Sequence, residues 1–342
     1  MKKIMYIVLL FSMMFGLSAC GNLGNISGDY EREDVELTFF VTSGAQKNEQ
    51  NTGWTGGSRT QVTKTFKTNP AVVAIFSYDA LDILDYVGIE NTSIKRLGLP
   101  KANIPTYLSD YNTQDVLNVG TLFIPDLDAL SLFIPDLIII GGRSAGAYDQ
   151  LSAEYPYADI LDVGLVYGEY IEGMERNATN LGKIFPTVNT EIETAFDLIA
   201  TQFTTLKNTA KDYRALFVMV NGDALSFYGS TGRFAVLYDE FGFIPADPLF
   251  QEDGSHGNVV GYEYVKSVNP DVLFLLDRGV ATGGSASIDQ VKANQLIKDT
   301  NAGMNNYIFT LNPIAWYISV GGFTSTNTMI ENIQSAITVL KA

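Results

Sequence analysis

Histidine and cysteine are nearly missing from this chain: its 342 residues hold one of each, His256 and Cys20. A single histidine builds no His-cluster zinc site, HExxH and CxxC do not occur, and a lone cysteine closes no intramolecular disulfide. Basic residues are scarce as well, 22 Lys and Arg against 38 Asp and Glu, which leaves a net charge of −16. Nucleic acid and anionic lipid surfaces recruit clustered Lys and Arg, so no nucleic-acid partner is expected and no attachment to a membrane through charge. The most apolar stretch, 4–15, is shorter than the ~20 residues that cross a bilayer as a permanent helix. What remains is a chain with 46% apolar residues, too long for one typical core, so two lobes are expected.

The start of the chain accounts for the lone cysteine. Lys2 and Lys3 precede the apolar run, and Gly16-Leu17-Ser18-Ala19 lies immediately before Cys20. Basic, then apolar, then small residues make 1–19 a signal peptide, and Leu17-Ser18-Ala19-Cys20 looks like a bacterial lipobox. Cys20 then carries a diacylglycerol group on its sulfur and anchors an exported, extracytoplasmic lipoprotein to the cell membrane. A free thiol is unfavourable in an oxidising compartment, and acylation consumes it. Loss of 1–19 removes two lysines and no acids, so 20 basic residues against 38 acidic ones bring the charge to −18. Residues 20–34, small and polar, read as the lipidated tether.

Residues 35–42 read as a short β-run, and the polar stretch 43–68 as loop and edge hairpin. From Asn69 onward, apolar strands alternate with amphipathic helices, which indicates an α/β fold. The first strand is 71–76 and the first helix Tyr78 to Val87. Further strands are expected at 137–140, 216–220, 225–228, 272–276 and 308–311, short and buried on both faces. Two helical segments, 169–185 and 190–210, are separated by Pro186. The second places Ile192, Ala195, Phe196, Ile199, Phe203 and Leu206 on one stripe. The expected layout is an N-terminal lobe over 35–187, a linking helix over 188–210 and a C-terminal lobe over 211–342.

One internal echo points to a site. Phe133 to Arg143 and Val268 to Arg278 share a Pro-Asp turn, a buried strand and an arginine at the same offset. Ligands of open α/β sheets bind beyond the C-terminal ends of the strands, so two facing lobes would aim both guanidiniums into one cleft. The alternative is that each arginine merely caps a local carboxylate.

Together these residues resemble the class III substrate-binding lipoproteins of ferric-siderophore ABC importers, in particular their catecholate and petrobactin branch. The resemblance rests on Asp247-Pro248, Ser255-His256-Gly257, Tyr262-Glu263-Tyr264-Val265, Asn269-Pro270-Asp271 and Asp277-Arg278, and on Asn312-Pro313-Ile314-Ala315-Trp316-Tyr317 near the C-terminus. Gly120-Thr121-Leu122 and Pro125-Asp126-Leu127-Asp128 match in the first half. It implies two Rossmann-like lobes joined by one long helix, a shallow cleft between them and no enzymatic activity. The implied ligand is an Fe(III)-siderophore complex, with no permanently bound cofactor, and the protein is expected to act as a monomer.

The resemblance makes Arg143, Arg233 and Arg278 ligand-binding residues. A ferric tris-catecholate carries about three negative charges, and three guanidiniums in a partly desolvated cleft would neutralise it. Arginine also stacks on a catechol ring while donating to its oxygens. His256 and Tyr317 match positions that ligate iron when a tetradentate siderophore leaves two coordination sites open, and Trp316 is grouped with them at the ligand. Asp128 and Glu263 match the acids that dock the permease, Asp128 being one methylene shorter than the usual glutamate.

Two rivals are weighed. Gly142-Arg143-Ser144-Ala145-Gly146 is a GxSxG, and with His256 and Asp223, Asp239 or Asp253 it could be written as a serine esterase. No His-Gly-Gly-Gly oxyanion loop accompanies it, and the echo at Arg278 has no serine partner. Haem is the other candidate ligand, with Tyr317 as an axial donor, but its two propionates call for fewer than three arginines.

Overall fold

The computed structural model describes residues 30–252 and 257–342. The expected signal peptide, Cys20 and most of the expected tether therefore lie outside the described residues, as does His256. The first element among the described residues is a long antiparallel ribbon of β1 (Asp34–Ser43) and β4 (Ser58–Lys67), in register from Asp34↔Lys67 to Ser43↔Ser58. Between them sits a small hairpin of β2 (Gln46–Lys47) and β3 (Trp54–Thr55). Strand β1 buries Leu37, Phe39 and Val41 at period two, whereas β4 buries only Phe66. Of the loop and edge hairpin expected over 43–68, the loop is corrected here, since 58–67 forms β4, while a hairpin is present as β2 and β3. A strand that pairs on one edge and turns most of its side chains to water carries no apolar alternation to reveal it.

The first lobe holds a wholly parallel sheet in the order β7-β6-β5-β8-β9. Its strands are β5 (Val72–Ile75), β6 (Arg96–Leu99), β7 (Leu117–Asn118), β8 (Leu137–Ile140) and β9 (Asp159–Asp162). Helices α1 (Tyr78–Tyr86), α2 (Leu127–Phe133), α3 (Tyr148–Glu154) and α4 (Tyr170–Ile184) connect and cover it. The 22-residue α5 (Asn189–Ala210), about 33 Å long, then carries the chain to the second sheet, and all six stripe residues from Ile192 to Leu206 are buried.

The second sheet has the order β13-β11-β10-β14-β15, with β12 (Ile244–Pro245) beside the start of β10 (Arg214–Asn221). The others are β11 (Ala224–Tyr228), β13 (Asn258–Val260), β14 (Val272–Asp277) and β15 (Ile308–Thr310). Here β10 departs from expectation. It leads into no helix but turns through Gly222-Asp223, with Gly222 at φ 60°, into β11, which folds back antiparallel on it.

The echo is a structural repeat in which every residue of the second copy is numbered 135 above its counterpart. Helix α2 and the helix Tyr262–Val268 each end on a left-handed residue, Ile134 (φ 50°) and Asn269 (φ 47°). A Pro-Asp pair follows, then a fully buried strand, then arginine. The aspartates lock this unit to the central strand of its own sheet. Asp136 accepts from the Ala71 and Val72 amides at 2.9 and 3.0 Å, and Asp271 accepts from the Arg214 amide at 3.3 Å.

The terminal helix Phe323–Leu340 packs against α1, α4 and α5, so the last part of 211–342 does not stay on the second lobe as the linear division expected. One continuous core includes the first sheet, α5, this helix and the inner face of the second sheet. On β10, Ala215, Phe217 and Met219 join that core, while Leu216, Val218 and Val220 face a second, outer one.

Candidate functional site

In each sheet the chain reverses direction of winding at one place, between β5 and β8 and between β10 and β14, and an open α/β sheet leaves a crevice there. Arg143 follows β8 through Gly141-Gly142. A Cβ on Gly141 would lie 2.6 Å from Ser77 Oγ, and Gly142 sits at φ 32°, so two glycines let the turn close tightly at the crevice. Arg278 is the first residue after β14, and Asp277 fixes it there by capping the helix Arg278–Ala281 and accepting from the Ser287 amide at 2.7 Å. Arg233 leaves a loop whose Gly229 amide donates to Glu252 Oε1 at 2.6 Å and whose Phe234 stacks on Phe217 at 4.1 Å between ring centroids. Tyr317 closes the helix Pro313–Tyr317, started by the Asn312 side chain, which accepts from the Ile314 and Ala315 amides.

These four residues come from distant parts of the chain and meet at Tyr317. The guanidinium carbons of Arg233, Arg143 and Arg278 lie 4.2, 5.2 and 5.8 Å from the centroid of its ring. Arg278 Nε donates to the phenol oxygen at 3.0 Å, and Arg143 and Arg233 each donate to the Tyr317 carbonyl at 2.7 Å. Arg143 thereby reaches from the first lobe to the segment after the second sheet. The ion pairs among the described residues are Arg32–Asp136, Arg59–Asp162 and Lys67–Asp34, so none of the three arginines is neutralised by a carboxylate among those residues.

Like charges held this close in a half-buried space raise each other's energy. Burial, and then the charge of Arg233, pull the pKa of Arg143 down to about 10, still well above neutrality. For Tyr317, burial pushes the phenol pKa up. The Arg278 hydrogen bond and the charges of Arg233, Arg278 and Arg143 outweigh it and hold the group below its ordinary value. An anion entering this space would offset the repulsion among the guanidiniums.

The arginines line a cleft of about 1300 Å³. Its walls include Trp54, Tyr78, Phe123, Tyr167 and Tyr228, none of which the sequence singled out as site residues. Arg59 also lines it but is committed to the buried Asp162 at 3.0 Å.

A sequence profile of the periplasmic binding protein family matches residues 73–315. The chain belongs to that family. It is 31% identical over 339 residues to the petrobactin-binding protein YclQ of Bacillus subtilis, covering 98% of this chain and 99% of YclQ. The crystal structure of YclQ superimposes with a TM-score of 0.74 at 32% identity, covering 80% of this chain and 94% of that one. The catecholate-siderophore-binding protein VctP of Vibrio cholerae gives 0.73 at 30% identity over 80% and 96%. The ferric-anguibactin-binding protein FatB of Vibrio anguillarum is 27% identical over 77% of this chain and 81% of its own.

In this periplasmic binding protein one expected ligand residue is corrected. Trp316 is 0% exposed, its indole lying 5.9 Å from the rings of both Phe217 and Phe241 and donating to Asn332 at 3.2 Å. Successive residues of a helix point about 100° apart, so the turn that presents Tyr317 to the cleft sends Trp316 into the core. The GxSxG is a turn as well. Ser144 is buried, and its hydroxyl donates to the Gly141 carbonyl at 3.1 Å while accepting from the Gly141 amide. Asp128 and Glu263 are exposed in the first turns of equivalent helices, 135 residues apart.

Proposed function

We propose that this protein captures an Fe(III)-siderophore complex of catecholate type outside the cytoplasm and delivers it to an ABC permease. The carrying observation is the convergence of Arg143, Arg233 and Arg278 on Tyr317 without a carboxylate partner among the described residues. A trianionic ferric tris-catecholate meets three fixed guanidiniums there, and its rings have planar cationic groups to stack on. The names of YclQ and FatB support a ferric siderophore as ligand, and that of VctP a catecholate one. The protein is a binding protein and not an enzyme, acting as a monomer tethered through a lipid on Cys20 after removal of 1–19.

Asp128 and Glu263 would dock the permease from one lobe each, which their equivalent, exposed positions support. Tyr317, with its phenol pKa held down, would supply an oxygen donor to hard ferric iron when the siderophore is tetradentate, with His256 as the second donor. The test is a titration of the mature protein with a ferric tris-catecholate, a ferric tris-hydroxamate and haem. Tight binding of the catecholate with its broad visible charge-transfer band is expected, weakened at least tenfold in Arg278→Ala with the circular-dichroism spectrum unchanged. An intense Soret band with haem and no catecholate binding would overturn the assignment.

A further inference from the structure

The excursion 44–57 between β1 and β4 is not needed to pair those strands, yet Ala45, Asn48, Gly53, Trp54 and Gly56 all line the cleft. It is held in place at several points. The Gly44 amide donates to Asp149 at 2.7 Å at its root. At its tip, Asn48 exchanges backbone bonds with Gly53 and Asn51, and its side chain accepts from the Thr52 amide at 2.8 Å.

Trp54 is the residue so positioned. Its indole N–H donates to the Phe123 carbonyl at 2.7 Å, and its Cβ and Cγ rest on Gly146, where an added Cβ would come within 2.5 Å. The Phe123 loop is itself fixed, since Thr121 Oγ1 accepts from the Phe123 and Ile124 amides. Phe123, 43% exposed, lies 5.9 Å from the Arg143 guanidinium. The result is a half-buried indole, its only polar group satisfied and the flexible Lys47 ammonium 5.8 Å from its ring centroid, beside an exposed phenyl ring that adjoins a second cation, Arg143. A saturated chelate gains only apolar burial from such a wall, whereas a planar aromatic ring also gains stacking.

We propose that Trp54 is a specificity-determining residue, presented by the hairpin so that its indole stacks on an aromatic ring of the bound chelate and favours aryl over non-aromatic ferric ligands. This rests on the ferric-siderophore reading above. The experiment measures affinities for a ferric tris-catecholate and for ferric citrate by equilibrium dialysis of iron, using the whole mature protein, Trp54→Leu and Trp54→Phe. The catecholate-over-citrate preference should fall at least tenfold in Trp54→Leu, equal to about 1.4 kcal/mol, and return to within threefold of wild type in Trp54→Phe. Dialysis avoids any reliance on tryptophan emission, which the substitutions alter. Wild-type protein that binds neither chelate overturns the ferric-siderophore reading and this inference with it. Wild type that binds while Trp54→Leu keeps the same preference overturns the inference alone. A preference lost equally in Trp54→Phe also overturns it, since the hairpin's packing and not an aromatic face would then be the cause.

Discussion

The Asp79 carboxyl, in the first turn of α1, is only 7% exposed, and burial pushes its pKa up to about 6 against the lowering effect of the Ser77 hydroxyl that donates to it. An acid whose folded pKa exceeds its unfolded value of 3.8 costs nothing at low pH, where it is protonated in both states. The cost grows as pH rises from about 4 to 6 and is complete above that. Asp79→Asn keeps an acceptor for Ser77 and removes the titration. It should therefore stabilise the fold at pH 7.5 by on the order of 2–3 kcal/mol and leave stability at pH 4 nearly unchanged. Urea midpoints at the two pH values check this, and an equal shift at both would reject it. Nothing in the sequence marked Asp79, because its burial comes from packing distant in the chain. Arg143 and Arg278 were legible for the opposite reason, since each follows a short apolar run and the run's end is the crevice. Trp316 and Tyr317 look alike in sequence, and only the helix's orientation against Phe217 and Phe241 separates core from cleft.

Among the elements, the repeated unit of helix, left-handed cap, Pro-Asp pair, strand and arginine carries both candidate surfaces. Asp128 and Arg143 stand at its two ends in one lobe, and Glu263 and Arg278 in the other. Its aspartates do unequal work. Asp136 holds the amides of Ala71 and Val72 at the start of β5 and the Arg32 guanidinium, whereas Asp271 holds one amide at 3.3 Å and the Asn301 side chain at 3.1 Å. Leaving two amides unpartnered should make Asp136→Ala cost about 2–3 kcal/mol of stability, and Asp271→Ala roughly 1 kcal/mol. Chemical unfolding of the two variants measures the difference, and a larger loss in Asp271→Ala would contradict it. The central strands were readable because burial on both faces leaves an unbroken apolar run such as Leu137 to Ile140. Strand β4 was not, its ten residues holding one buried side chain. The β10–β11 hairpin did have a signal in Asn221-Gly222-Asp223, a two-residue turn signature that the expected alternation of strands and helices obscured.

For the molecule as a whole, the lobes differ from two independently folded halves in sharing one interior. The core that begins under the first sheet continues through α5 and the terminal helix to Phe217 and Trp316 on the inner face of the second. Buried Asp82 reinforces this, accepting from the Thr324 and Ser325 amides at 2.7 and 2.9 Å and from the Tyr107 hydroxyl at 2.7 Å, so the segment just past Tyr317 is held by α1. Packed interiors do not deform continuously, and a cleft built across one such interior stays largely pre-formed. The two tryptophans test this, one in the first-lobe hairpin and one in the inner core. Trp54→Phe and Trp316→Phe each leave a single reporter. In each variant the urea midpoint seen by its one tryptophan should coincide with that variant's own loss of helical signal, because neither lobe can lose its side of the core alone. A ferric catecholate at a hundred times its Kd adds about 2.7 kcal/mol to the folded state. Both reporters should then shift together, whereas two separate transitions, or a ligand shift seen by one reporter only, would show lobes that fold apart.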